Sequence, residues 1–138
     1  MAVVIEAVPS DRVTLYWPHV EAYISSAIAD YGHSWSIKDV FDDLMSSQMQ
    51  LWVLWSDKLI NGVICTHIYE SGRGKTCAMP VVASTHMAEV FGEALRVIED
   101  FAKANGCRRL QGDGRKGWER ALKPLGWTAI TTQVEKVL

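Results

Sequence analysis

The spacing of apolar residues changes several times along the chain, and each change predicts a new element. The apolar run Ala2 to Val8 reads as a strand, with turn and capping chemistry in Pro9-Ser10-Asp11. From Pro18, which a helix tolerates in its first turn, apolar groups recur at Val20, Ile24, Ala27, Ile28 and Tyr31, one helical face closed by Gly32. A second helix is predicted from Ser36, whose hydroxyl can cap it while Asp39 sits within reach. Ile37, Val40, Phe41, Leu44 and Met45 form its buried side, and Ser46-Ser47 ends it.

Two dense strands follow, Gln50 to Trp55 and Leu59 to Tyr69, joined by the polar turn Ser56-Asp57-Lys58, and a glycine-containing hairpin returns the chain into Thr76 to Ala83. Together they predict an antiparallel meander. The strongest helical pattern, His86 to Asn105, puts Val90, Phe91, Ala94, Leu95, Ile98, Phe101 and Ala102 on one stripe before an Asn105-Gly106 stop. Cys107 to Gly112 reads as a fifth strand, Trp118 to Leu122 as a short helix stopped at Pro124, and Thr128 to Val137 as a last strand. The order β-α-α-β-β-β-α-β-α-β predicts a mixed α/β (α+β) fold with a central, twisted, mostly antiparallel sheet flanked by helices. No repeat or linker interrupts it, so residues 1–138 are expected to form a single domain.

Composition supports a folded chain: 49% of its 138 residues are apolar and six are tryptophan, enough to bury a proper core. A formal net charge of −2 offers no broad attraction to nucleic acid or an anionic membrane. Arg108-Arg109 and Arg115-Lys116 are too sparse to reverse that. The opening MAVVIEAVPSD has neither a basic segment nor a long apolar core, so no signal peptide or membrane span is expected and a cytoplasmic location is. Cys65, Cys77 and Cys107 are odd in number and fall in predicted strands, where they are expected to pack as free thiols.

One motif invites a phosphate-loop reading. Glu70 to Thr76, ESGRGKT, ends in Gly-Lys-Thr, but the position needing the first glycine of a phosphate loop is Tyr69, and the segment leads into a strand rather than a helix. A hairpin turn explains it better. Metal chemistry is not expected either: Cys65 and His67 share a strand face by period two, whereas hairpin pairing sets Cys77 opposite Ile68 on the other face. Trp118 and Trp127 are expected to anchor the short helix to the sheet.

The element order resembles the GNAT superfamily of acyl-CoA N-acyltransferases over the whole chain. Leu125-Gly126-Trp127 is similar to that family's late L-G-F signature, and Ala94-Leu95 with Ala102 and Asn105-Gly106 to its cofactor helix. The segments TLYWPHV, MQLWVLW and GRKGWERALKPLGW are similar to small, divergent GNAT-like proteins of tailed bacteriophages.

The resemblance implies that acetyl-CoA or another acyl-CoA lies beside the fourth strand, its pantetheine amides bonding the backbone of Val81, Val82 and Ala83 like an added strand. Its pyrophosphate would rest at the start of the long helix, in the frame Met87, Val90, Phe91, Gly92. Of the three signature positions in the family's [QR]-x-x-G-x-[GA] loop, here Met87, Val90 and Gly92, only Gly92 matches, and Glu89 adds a carboxylate beside them. Arg115 stands where the family has an asparagine, and Leu122 where it commonly has a tyrosine acid. Glu70, His67 and His86 are the candidate general bases. The activity so implied is acyl transfer to an amine on a small molecule or a protein, without a metal. The substitutions and the phage-like segments imply a second reading: a catalytically inactive GNAT-fold phage protein with a structural, virion-assembly or host-interaction role, partnered by a phage or host protein.

Overall fold

The computed structural model describes residues 3–31, 35–85, 87–112, 116–130 and 134–138, with 30, 31, 87–91, 116 and 117 as backbone only. Strand β1 (Val4–Val8) leads through a 3₁₀ turn (Ser10–Arg12) into helix α1 (Val13–Tyr31). Helix α2 (Ile37–Met45) and the meander β2 (Gln50–Ser56), β3 (Leu59–Ser71) and β4 (Gly74–Ser84) follow. Helix α3 (Met87–Ala104), strand β5 (Arg109–Gly112), helix α4 (Lys116–Leu122) and a 3₁₀ turn (Lys123–Leu125) complete the regular structure. The strands lie in chain order, β1-β2-β3-β4-β5, antiparallel except for the parallel β4–β5 pair. Among the described residues no helix is long and apolar enough to cross a membrane.

Local chemistry explains most boundaries. At the start of α2 the Ser36 hydroxyl accepts from the Asp39 N–H at 3.0 Å while the Asp39 carboxylate accepts from the Ser36 N–H at 3.2 Å, the reciprocal box expected from the sequence. Asp57 and Lys58 both take positive φ, which matches the twist of the β2–β3 hairpin. Helix α3 ends where Gly106 turns left-handed and the Cys107 N–H reaches back to the Ala102 carbonyl at 2.9 Å.

Three expectations of the sequence reading are revised. Helix α1 starts at Val13, so Pro18 lies inside it rather than in its first turn. Pro18 faces solvent, where water can take the carbonyl bond its ring cannot donate. Met45, expected in the core, is 41% exposed because α2 buries only the Val40 and Leu44 side. The closing strand expected over Thr128 to Val137 is absent from 128–130 and 134–138, while 131–133 lie outside the described residues.

The sheet divides two cores. One face carries Trp52, Leu54, Ile64, Cys77, Met79 and Val82 against α3 and Trp118 and Leu122 of α4. The other carries Leu51, Val53, Val63, Cys65 and Val81 against α1 and α2. Trp118 is buried and Trp127 packs against the first core, as anchors of the short helix. Gly74-Lys75-Thr76 opens β4: Gly74 has φ +98° and Thr76 is buried in the sheet, the hairpin geometry expected.

Candidate active site

The chemistry-bearing side chains gather where β4 changes course. Cys65 pairs with Val81 and His67 with Ala78, so Thr66 alone faces two β4 residues, Met79 and Pro80: a β-bulge. Proline suits the extra position because it has no N–H to contribute to the ladder. On the far side, β5 pairs with β4 only from Thr76 to Met79. Past the bulge, Pro80 to Ala83 has no strand partner on that edge among the described residues, although its other edge pairs with β3. Such an edge presents backbone N–H and C=O groups to an added chain.

Beside this bulge lies a cavity of about 220 Å³ lined by Trp35, His67, Tyr69, Ala78, Met79, Pro80, Gln111 and Gly112. Register explains the convergence: His67, Ala78 and Gln111 stand in one row across β3, β4 and β5, and Tyr69, Thr76 and Arg109 in the next. Trp35 approaches from the residue before the α2 cap, and its ring meets His67 edge-on at 6.1 Å. His67 stacks with Tyr69 at 6.1 Å and 21°. The Tyr69 hydroxyl donates to the Gln111 side-chain oxygen at 2.6 Å.

The His67 contact to the backbone fixes its chemistry. Its Nδ1 is 3.0 Å from the Gln48 carbonyl oxygen. A carbonyl can only accept, so in the neutral ring Nδ1 carries the proton and Nε2 keeps the lone pair. A half-buried imidazole with a basic Nε2, held on a strand and braced by two rings, is equipped to take a proton inside the cavity.

The other sequence candidates fall elsewhere. Glu70 is exposed and pairs with Lys75 near the hairpin, one residue out of register with the cavity-facing His67 and Tyr69 and so on the opposite sheet face. His86 and Arg115 lie outside the described residues. Val81, Val82 and Ala83 occupy the unpaired edge; Val81 and Val82 are buried in opposite cores and Ala83 packs beside Val81's, which leaves backbone as what this edge can offer. Met87 opens α3 just beyond that edge, but the side chains of Met87, Val90 and Phe91 lie outside the described residues. Gly92 is exposed, and a Cβ built there would meet nothing within 4 Å. Just before this helix the Thr85 hydroxyl donates to the Asn61 carbonyl at 3.4 Å.

Trp35, Tyr69 and Gln111 were not singled out by sequence reasoning. A signal existed only for Tyr69, which shares a strand face with His67 by period two. Gln111 joins through the parallel β4–β5 register and Trp35 through the path of α2, neither of which is written locally. Among the described residues no cluster of His, Cys, Asp and Glu is arranged to hold a metal ion.

No protein-family model matches the chain, and neither does any curated protein sequence. Solved structures do. A predicted acetyltransferase from Clostridium acetobutylicum with acetyl-CoA superposes with TM-score 0.67 at 10% identity, covering 99% of this chain and 96% of that one. An aminoglycoside acetyltransferase from an uncultured soil metagenomic sample gives 0.72 at 13%, with 100% and 99% covered. The aminoglycoside N-acetyltransferase AAC(6')-Iy in complex with CoA gives 0.72 at 9%, with 99% and 95% covered. Full-length agreement at such low identity is agreement of architecture, and this chain has the GNAT acetyltransferase fold.

Proposed function

We propose that the protein is an N-acyltransferase moving an acyl group from acetyl-CoA or another acyl-CoA to an amine, with His67 as general base. The observation that carries this reading is the coincidence of the His67 cavity with the bulge beyond which β4 has no β5 partner among the described residues. The chain's own groups fit an acyl-CoA in two respects. The backbone from Val81 to Ala83 has no β5 partner on one edge among the described residues and suits pantetheine amides. The N-terminus of α3 follows directly, with the positive end of an 18-residue helix for a pyrophosphate.

The thioester would supply the acyl group: its C–S bond breaks as the C–N bond of the amide forms, and the sulfur leaves as thiolate, which takes up the second proton the nitrogen loses and departs as the thiol. His67 receives the proton that the acceptor ammonium must lose before nitrogen can attack, and passes it to solvent from its half-exposed position. The Tyr69 hydroxyl and Gln111, tied to each other, hold the far wall of the cavity in place.

A second reading, a GNAT-fold phage protein without transfer activity, is favoured by one observation. Leu122, at the place of the family's acid, is buried among apolar neighbours and can donate no proton.

Calorimetry with acetyl-CoA and with free CoA separates the two. Saturable binding is expected, and Gly92→Glu should abolish it by setting a carboxylate near the pyrophosphate; open space and a helical backbone make misfolding a poor explanation for that loss. His67→Gln should keep binding and lower the transfer rate about 10²–10⁴-fold. Silence at millimolar ligand would retire the enzyme.

A further inference from the structure

The cavity walls carry more information than the presence of a base. Three rings line it: Trp35 edge-on to His67, and His67 stacked with Tyr69. Ala78, Met79, Pro80 and Gly112 add apolar or backbone surface, and Gln111 is the remaining polar group. Among the described residues none that lines it is a carboxylate. The volume, about 220 Å³, lies below the roughly 300–1,000 Å³ of pockets that take drug-sized ligands, and suits one ring with a short arm.

The neighbouring charge on this sheet face is positive. Arg109 stands in the next row, its guanidinium donating to the Arg73 carbonyl, and it forms no ion pair among the described residues. A ligand with several ammonium groups would have to desolvate them against apolar walls and beside this cation. A single amine on an aromatic body meets the opposite conditions, because ring faces attract one cation and ring edges pack on rings.

We propose that the cavity selects a small aromatic monoamine, an aralkylamine, as the acyl acceptor, in contrast to the polycationic aminoglycosides named for several structures of the same fold. This rests on the acyltransferase reading above. Trp35 is the residue that sets the preference, and His67 serves any amine that enters.

The test measures thiol release from acetyl-CoA with phenethylamine, hexylamine, spermidine and kanamycin as acceptors. Phenethylamine should exceed each of the others in kcat/KM by about tenfold or more, a difference of about 1.4 kcal/mol. Trp35→Ala should raise KM for phenethylamine by a similar factor and clearly more than it raises KM for hexylamine, with any change in kcat from the lost His67 contact shared by both amines; Trp35→Phe should restore the KM for phenethylamine. A preference for kanamycin or spermidine, or a Trp35→Ala effect equal for both monoamines, overturns the inference and leaves the transferase reading standing. If acetyl-CoA gives neither heat nor turnover, the transferase reading falls instead. Phenethylamine titrated into the protein alone then decides: heat that Trp35→Ala removes supports an aromatic-amine site, and no heat overturns it.

Discussion

Cys65 is fully buried, and burial alone pushes its thiol up to about 12. Cys77 reaches about 12 as well, first through burial and then through the nearby Cys107. Neither can serve as a nucleophile near neutral pH, since the thiolate is the reactive form. The same shifts link stability to pH. In the unfolded chain these thiols ionise near their ordinary value of 9.0, whereas in the folded chain they keep their protons toward 12. The folded state therefore binds more protons in that window, and stability is lost as pH rises through it, by up to about 1.4 kcal/mol per unit for each thiol. Urea midpoints should hold steady below pH 8 and fall from about pH 9 upward, a fall that Cys65→Ala makes shallower; an unchanged slope in that variant would refute the account. The sequence showed that these cysteines sit in strands. Their depth, which decides their chemistry, depends on helices packed over both faces of the sheet.

At the scale of elements, Gly62 ties β3 to its neighbours more tightly than any pattern in the sequence suggests. Leu54 pairs with Gly62 and Trp55 with Ile60, so Asn61 is the extra residue of a bulge. A Cβ on Gly62 would lie 2.6 Å from the Ala83 carbonyl oxygen, 2.8 Å from the Ser84 Cβ and 3.0 Å from a Leu54 methyl. Two of these three are backbone or Cβ atoms that no side-chain rotation can move. Gly62→Ala should thus destabilise the fold by about 1–3 kcal/mol in denaturant titrations, and should also displace the end of β4 that leads into α3. Equal stability would mean that β4 shifts at no cost. The contrast with α2 is instructive. Its start was legible because Ser36 and Asp39 form a local device, whereas the start of α1 was misplaced because Pro18, usually a boundary, is tolerated on a solvent face.

Across the whole molecule, each inner strand serves two cores at once, so the order of the elements and the identity of the meander were readable from alternating apolar residues. The cavity was not, because it is assembled from four segments that meet only after β5 has paired in parallel with β4. The bulge at Met79-Pro80 has a further consequence for how this chain can change. Met79 points to the α3 core, Val81 to the α1–α2 core and Val82 back to the first, so the order of faces is already correct if the residue between Met79 and Val81 is ignored. Deleting Pro80 would leave each of these side chains on its own side and yield a regular strand. The variant should fold with near-native thermal stability, yet release no thiol from acetyl-CoA, because the cavity loses the wall that Pro80 supplies. A deletion that abolished folding would show that the kink supports the cores as well. If the variant folds, Pro80 is a spare letter in the architecture, inserted without disturbing the frame around it and removable the same way, so the bulge beside the cavity could be gained or lost in a single step.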